Sequence, residues 1–342
     1  MGKAIRIAAA LGAGALLARK LWPRASFAGR VVLITGGSRG LGLVLARELV
    51  RRGARLAICA RDDRELARAQ TDLEARGGKV LAIPCDLRIP AAAERMIATV
   101  VAHYGRLDVL VNNAGIIEVG PVDSMSLADY QSVMGANFWG AVHATLAALP
   151  HLRRSSLARI VNVTSIGGVV PVPHLLPYTC SKFAMVGFSE GLGTEVGRSG
   201  VRVTTVVPGL MRTGSFVNAL FKGQRAKEFS WFSLGAAAPL VSMSADRAAR
   251  RIVSACARGE RFVTLALPYK ALRIAHALAP GLTVAAFAAV DRLLPKRGDA
   301  QPGDAPEPGW LHRQGITRTP LLALGNRAAR RNLEVPWAGP ET

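Results

Sequence analysis

Tyr178 and Lys182 stand four residues apart in the stretch PYTCSK, just after an apolar, strand-like run. On a helix, that spacing stacks both side chains on one face and brings an ammonium close to a phenol. A free phenol, with a pKa of about 10, is a poor proton donor and acceptor at neutral pH. A cation one helical turn away favours the phenolate and draws the group toward the range in which it can serve as an acid–base catalyst. Cys180 lies between the two but points off their shared face, so a small packed residue is expected there.

Such a pair needs a frame. Between Arg30 and Leu267, seven short β-branched runs (VVLIT, RLAIC, KVLAIP, LDVLVN, RIVNVTS, VRVTTVVP and RFVTLAL) alternate with longer segments of helical period. Parallel strands require crossovers, and right-handed crossovers through helices give a doubly wound α/β sheet of seven parallel strands. Ligands of such sheets bind beyond the carboxyl ends of the strands.

The first strand runs into TGGSRGLG and then into the amphipathic helix LVLARELVRRG. Gly36, Gly40 and Gly42 permit a tight turn, close approach of backbone to a pyrophosphate and close packing of helix on sheet, with the helix N-terminus facing the phosphates. Dinucleotide binding is the expectation. An acidic residue at the end of the second strand would hold a free ribose 2′-hydroxyl, but ICARDD places Ala60 and then Arg61 there, and Arg39 comes from the glycine-rich turn. Two guanidiniums favour NADP(H) over NAD(H), unless Asp62 or Asp63 pairs with Arg61.

With TGGSRGLG, NNAG at Asn112 to Gly115, YTCSK, and PGLMRT at Pro208 to Thr213 in this order, the chain resembles the short-chain dehydrogenase/reductase family over about residues 28 to 267. The resemblance implies a Rossmann-like fold and an oxidoreductase that moves hydride between a nicotinamide dinucleotide and a carbonyl or alcohol. It implies a catalytic set of Asn137, Ser165, Tyr178 and Lys182. Tyr178 would be the general acid/base and Lys182 would tune it while holding the nicotinamide ribose. Ser165 would hold the substrate oxygen, and Asn137 would position a water linking Lys182 to solvent. Around the cofactor it implies Gly36, Ser38, Arg39, Gly40, Leu41, Gly42, Arg61, Leu87 and the catalytic Tyr178 and Lys182. Asp86 would lie at the adenine, Asn112, Asn113, Ala114 and Gly115 along the adenosine side, and Pro208, Gly209 and Thr213 at the nicotinamide end.

The same resemblance implies that the segment between Thr213 and Ala245 forms the lid over the substrate. Its Phe216, Leu220, Phe221, Phe229, Trp231 and Phe232 point to a bulky, lipophilic small-molecule substrate, although core packing accounts for part of the set. A non-catalytic NADPH-binding scaffold or sensor is the competing reading, against which the complete catalytic set argues.

The chain has 342 residues and a net charge of +21 from 44 Lys and Arg against 23 Asp and Glu. The charge is spread out with no basic stretch interleaved with aromatics, which argues against a nucleic-acid partner and leaves phospholipid or a phosphorylated cofactor. Cys59, Cys85, Cys180 and Cys256 form no Cys-x-x-Cys pair, so neither zinc nor a disulfide framework is indicated. The six histidines form no metal constellation, and His174 is expected in a loop or the substrate pocket.

Four parts are expected: a basic, apolar N-terminal helix (1–27), the catalytic domain (28–267), an apolar helix pair (268–295), and a linker and tail (296–342). The run from Ile7 to Ala18 is too short to span a bilayer comfortably. It reads as a membrane-touching helix, a docked soluble helix, or an exported leader cut after Ala15. The 268–295 pair reads either as membrane-surface helices or as an ordinary packed pair, and 296–308 as a disordered Pro/Gly/Asp linker. A cytoplasmic location, with attachment to the membrane's cytoplasmic face through these segments, fits best. The resemblance implies a homo-oligomer, with a dimer or tetramer interface on the helices bearing Asn137 and Tyr178, one contact of which the extra C-terminal segment could block.

Overall fold

The computed structural model describes residues 24–238, 242–299, 301, 304–312 and 320–335; the readings of residues 1–23 lie outside them. The β-branched run Val31–Thr35 (β1) is buried along its whole length, as a strand covered on both faces must be. It is flanked by Arg55–Ala60 (β2) and Val109–Asn112 (β4). Lys79–Pro84 (β3), Arg159–Val163 (β5), Arg202–Val207 (β6) and Phe262–Thr264 (β7) complete a seven-stranded sheet of order β7-β6-β5-β4-β1-β2-β3. Every neighbouring pair is parallel. The doubly wound α/β fold read from the sequence is therefore present.

Helices cover both faces. Gly40–Val50 (α1), Asp63–Glu74 (α2) and Ala245–Arg258 (α8) close one core, around Leu45, Ile58 and Ile252. Pro90–Tyr104 (α3) and Gly140–Leu152 (α5) close the other, around Leu33, Met96 and Ile160. Leu127–Met134 (α4) passes into α5 through a π-helical turn, Gly135–Trp139. Leu176–Glu195 (α6) begins with a proline in its first turn, where a missing N–H costs nothing. The strand order reverses on either side of β1, and the crevice opens at the carboxyl ends of β1 and β4.

The lid is a unit with its own core. Phe216, Phe221 and Phe229 are fully buried, packed with Val119 and with Ala329 from the tail, so three of the six apolar lid residues are core and not cavity wall. Trp231 and Phe232, on Arg225–Ala237 (α7), do line the cavity. Beneath this core, Leu220–Phe221 pairs with both Glu118–Val119 and Glu307–Pro308. The disorder expected for 296–308 is thus corrected at its distal end. Arg225 reaches Glu307 at 3.2 Å and the Ala305 carbonyl at 3.0 Å. Proline content forbids a helix there but not a two-residue edge strand.

Leu267–Leu278 (α9) and Pro280–Asp291 (α10) meet at 120°. Nothing on α10 is buried, and Leu267, Ile274, Leu278, Leu282 and Leu293 are all more than half exposed. Packing is partial: Tyr269 is buried and Leu272 and Phe287 rest against its cluster, while those five residues are left uncovered. Among the described residues no single helix is long and apolar enough to cross a membrane; the bent pair passes that test only as a broken span. In the tail, Pro320–Arg331 (α11) buries Leu322 and Ala329.

Candidate active site

The glycine-rich turn is shaped by close approach. A Cβ on Gly42 would stand 2.0 Å from the Gly36 carbonyl oxygen, so only glycine lets α1 begin so near the strand end. Thr35 and Asn113 lock this turn to the end of β4. Thr35 Oγ1 accepts from the Asn113 and Ala114 amides at 3.0 and 3.1 Å, and Asn113 Nδ2 donates to the carbonyls of Thr35 and Gly36, both at 3.1 Å.

A cavity of about 920 Å³ follows the strand ends from this turn to the lid. Along its walls lie Gly36, Ser38, Arg39, Gly40, Leu41, Arg61, Asp86, Leu87, Asn113, Ala114, Gly115, Ser165, Tyr178, Lys182, Pro208, Gly209 and Thr213, which are all expected site residues. Three others stand behind the wall. Gly42 supports the turn from below. Asn112 is buried and donates to Thr145 Oγ1 and Asn162 Oδ1, both at 2.9 Å. Asn162 continues to Ser189 at 2.9 Å, and Ser189 to Thr205 at 2.7 Å, a polar chain that ties β4, β5, α6 and β6 together. Asn112 thus stands behind the cavity wall as part of this chain.

Asn137 is the third, and the π-helical turn is what aims it inward; such turns recur at functional sites. Its Oδ1 accepts from the Ile116 amide at 2.7 Å, while Nδ2 donates to the Ile116 carbonyl at 3.0 Å and to Ser181 Oγ at 2.9 Å. The residue clamps the segment that follows β4, beside Gly115 and Lys182.

At the catalytic corner, Ser165 sits just past the end of β5, its Oγ accepting from the Gly167 amide at 3.1 Å, on the same cavity wall as Tyr178. Lys182 Nζ lies 5.6 Å from the Tyr178 ring centre, so the i, i+4 stacking occurs, and it donates to the Val163 carbonyl at 3.3 Å. Burial drives both groups against their charged forms. Lys182 is pushed down to about 8, and Tyr178 is raised, with the Ser165 side chain opposing. The lowering expected of the phenol rests on Lys182 together with the oxidised nicotinamide; against it, burial in this pocket raises Tyr178.

The far end is charged. Arg61 is exposed at the cavity rim; Asp62 caps α2 by accepting from the Glu65 amide at 2.8 Å, and among the described residues no ion pair joins either aspartate to Arg61. Arg39 binds Asn218 Oδ1 and stands 3.3 Å from Glu65, whose other oxygen accepts from Ser38 Oγ at 3.0 Å. Arg88, bound at 2.5 Å, holds the Asp86 carboxyl below its usual range.

Sequence reasoning missed Glu65 and Glu334 on the wall, and Leu210, Tyr269, Leu272 and Phe287 at the substrate end. Tyr269 follows β7 and accepts from the Leu210 amide at 3.1 Å, docking α9 on the cavity. His174 is not on the wall. It is buried with a left-handed φ of 59° and reaches Glu228 at 2.9 Å, to which Trp231 donates at 2.7 Å. Cys180 is exposed, contrary to the packed role expected of it, and all four cysteines are free. Among the described residues no cluster could hold a metal.

A dinucleotide fits these residues. No side chain caps the N-terminus of α1; the tail's Asn332 carbonyl takes the Gly40 amide, and Gly40 and Leu41 line a cavity that continues to the Ser165–Tyr178–Lys182 corner.

Known proteins agree with this geometry. The family model described as short chain dehydrogenase matches residues 30–222. The chain is 35% identical over 252 residues to a Mycobacterium tuberculosis protein named "Putative oxidoreductase SadH", covering 73% of this chain and 90% of that one. It is also 35% identical over 237 residues to 11-beta-hydroxysteroid dehydrogenase-like 2 of Arabidopsis thaliana, covering 69% of this chain and 73% of that one. A solved dehydrogenase/reductase from Sinorhizobium meliloti superposes with a TM-score of 0.60 at 29% identity, over 70% of this chain and 94% of that one. Sheet order, glycine-rich turn and Ser–Tyr–Lys corner together with these matches place the chain in the short-chain dehydrogenase family, as an oxidoreductase acting on carbonyl or CH–OH groups with a nicotinamide cofactor.

Proposed function

We propose that the protein reduces lipophilic ketones or aldehydes, or oxidises the corresponding alcohols, with NADP(H). One observation carries the reading: Ser165, Tyr178 and Lys182 converge on one corner of a cavity whose other end is the glycine-rich turn with Arg39 and Arg61. The bound dinucleotide would supply or accept the hydride. The chain's residues do the rest. Ser165 Oγ holds the substrate oxygen against Tyr178, whose O–H gives its proton to that oxygen as the carbonyl carbon is reduced, or takes it back in the reverse direction. Lys182 holds the nicotinamide ribose and offsets the charge left on the phenolate. Asn137 keeps the Ile116 segment in place and offers Lys182 a water-mediated route to solvent.

Arg61, exposed and unclaimed by Asp62, supports a 2′-phosphate, with Arg39 beside it. Trp231, Phe232, Leu210, Leu272 and Phe287 make the substrate end apolar. The exposed leucines of α9 and α10, flanked by Lys270, Arg273, Arg292 and Lys296, support contact with an anionic bilayer surface, from which such a substrate would come. Exposed Trp139, Leu146 and Phe183 on the helices bearing Asn137 and Tyr178 support self-association through that face.

The test is NADPH and NADH consumption against a panel of lipophilic ketones and aldehydes. Turnover with NADPH preferred is expected. Tight NADPH binding without turnover of any panel member would instead favour the scaffold or sensor.

A further inference from the structure

The C-terminal tail reaches the glycine-rich turn from across the cavity. The Gly40 amide, at the N-terminus of α1, donates to the Asn332 carbonyl at 2.9 Å. Glu334 is buried on the cavity wall and accepts from the Gly214 amide, next to Thr213. A Cβ on Gly40, where φ is +58°, would lie 2.9 Å from Glu334 Oε1. This stretch of the tail is fastened on both sides. Asn218 Nδ2, from the lid, donates to the Glu334 carbonyl at 2.7 Å, and Arg47, from α1, donates to the Arg331 carbonyl at 3.0 Å. Ala329 packs inside the lid core.

A carboxyl group between Gly40 and Gly214 faces the stretch of cavity between the helix N-terminus and the nicotinamide end, where the phosphates of a dinucleotide must pass. A carboxylate there would repel them. Burial, however, pushes the Glu334 carboxyl up to about 8, with the Gly214 amide and Arg39 opposing and Glu65 reinforcing, so at neutral pH it carries a proton that it can donate.

Resting on the dinucleotide reading above, we infer that residues 320–335 form a clasp over the bound cofactor, in which Glu334 is a further cofactor-binding residue donating a hydrogen bond to a phosphate oxygen. Asn332 and Asn218 hold the clasp to the turn and to the lid, so the dinucleotide leaves only when the tail lifts.

The test is release of NADPH from the full chain, followed by its fluorescence on mixing with excess NADP⁺, together with amide exchange across 320–335 with and without NADPH. Glu334→Gln, which still donates, should release within about twofold of the wild type, and Glu334→Ala about ten to a hundred times faster. Exchange in 328–335 of the unaltered chain should slow when NADPH is added, a readout that needs no variant to fold. Unchanged release from Glu334→Ala, slower release from it, or exchange indifferent to NADPH would each overturn the clasp while leaving the site reading intact. A wild type that binds neither NADPH nor NADH would overturn the site reading and the clasp together.

Discussion

Two buried lysines show how differently this molecule uses charge. Lys222, under the lid, is 1% exposed and lies 2.7 Å from Asp129, which is bound in turn by Ser126. Lys182, at the catalytic corner, is 5% exposed and meets a backbone carbonyl but, among the described residues, no carboxylate. A buried charge with its counterion is a structural tie. A buried cation without one costs stability and persists where it is used.

The sharpest break of that contrast is to remove each ammonium with Lys→Met. Lys182→Met should lower kcat by about 10²- to 10⁴-fold with thermal stability unchanged or raised, since it removes an unpaired buried charge. Lys222→Met should leave Asp129 uncompensated and cost about 3–5 kcal/mol in denaturant unfolding. Loss of stability at position 182 and none at 222 would refute the distinction.

A smaller effect concerns the acid beside the tie. Burial and the neighbouring Asp129 raise the Glu118 carboxyl to about 8. The folded chain therefore holds a proton there that the unfolded chain releases near 4.5, so this contribution is complete below about 4.5 and is lost as pH rises to about 8. Tm of the wild type should fall over that window more steeply than Tm of Glu118→Gln. Parallel curves would show that Glu118 does not titrate with folding.

Smaller again is the apolar hairpin. Replacing exposed Ile274 and Leu278 by Asp should leave Tm within about 1 °C, because surface positions carry little stability. Cosedimentation with phosphatidylglycerol vesicles should drop severalfold; undiminished cosedimentation would remove α9 from the membrane contact.

How much of this was readable beforehand depended on how local the cause was. β1 to β7, the glycine-rich turn and the Tyr178–Lys182 stacking follow from short-range patterns, strand period, glycine spacing and i, i+4 geometry, and they are present. Asn112 could not be sorted from Asn113 by sequence: Asn112, the last residue of β4, joins the Thr145–Asn162 chain, and Asn113, just past it, holds the turn. Apolarity in the lid does not say which residues face a substrate and which the core; Phe216, Phe221 and Phe229 join Val119 and Ala329 in the core. Glu334 lies 120 residues beyond its partner Gly214, and nothing in its neighbourhood signals a carboxyl that will be buried. The exposure of α9 and α10 was legible as one of two readings, and only packing separates them.

The central claim is that Tyr178 moves the proton while Lys182 serves it without a counterion. Its most direct measurement is NADPH-dependent reduction of a lipophilic ketone by Tyr178→Phe, with NADPH binding followed in parallel by fluorescence. Turnover should fall by about 10²- to 10⁴-fold with NADPH bound as tightly as by the wild type. Turnover within a few-fold of the wild type would contradict it.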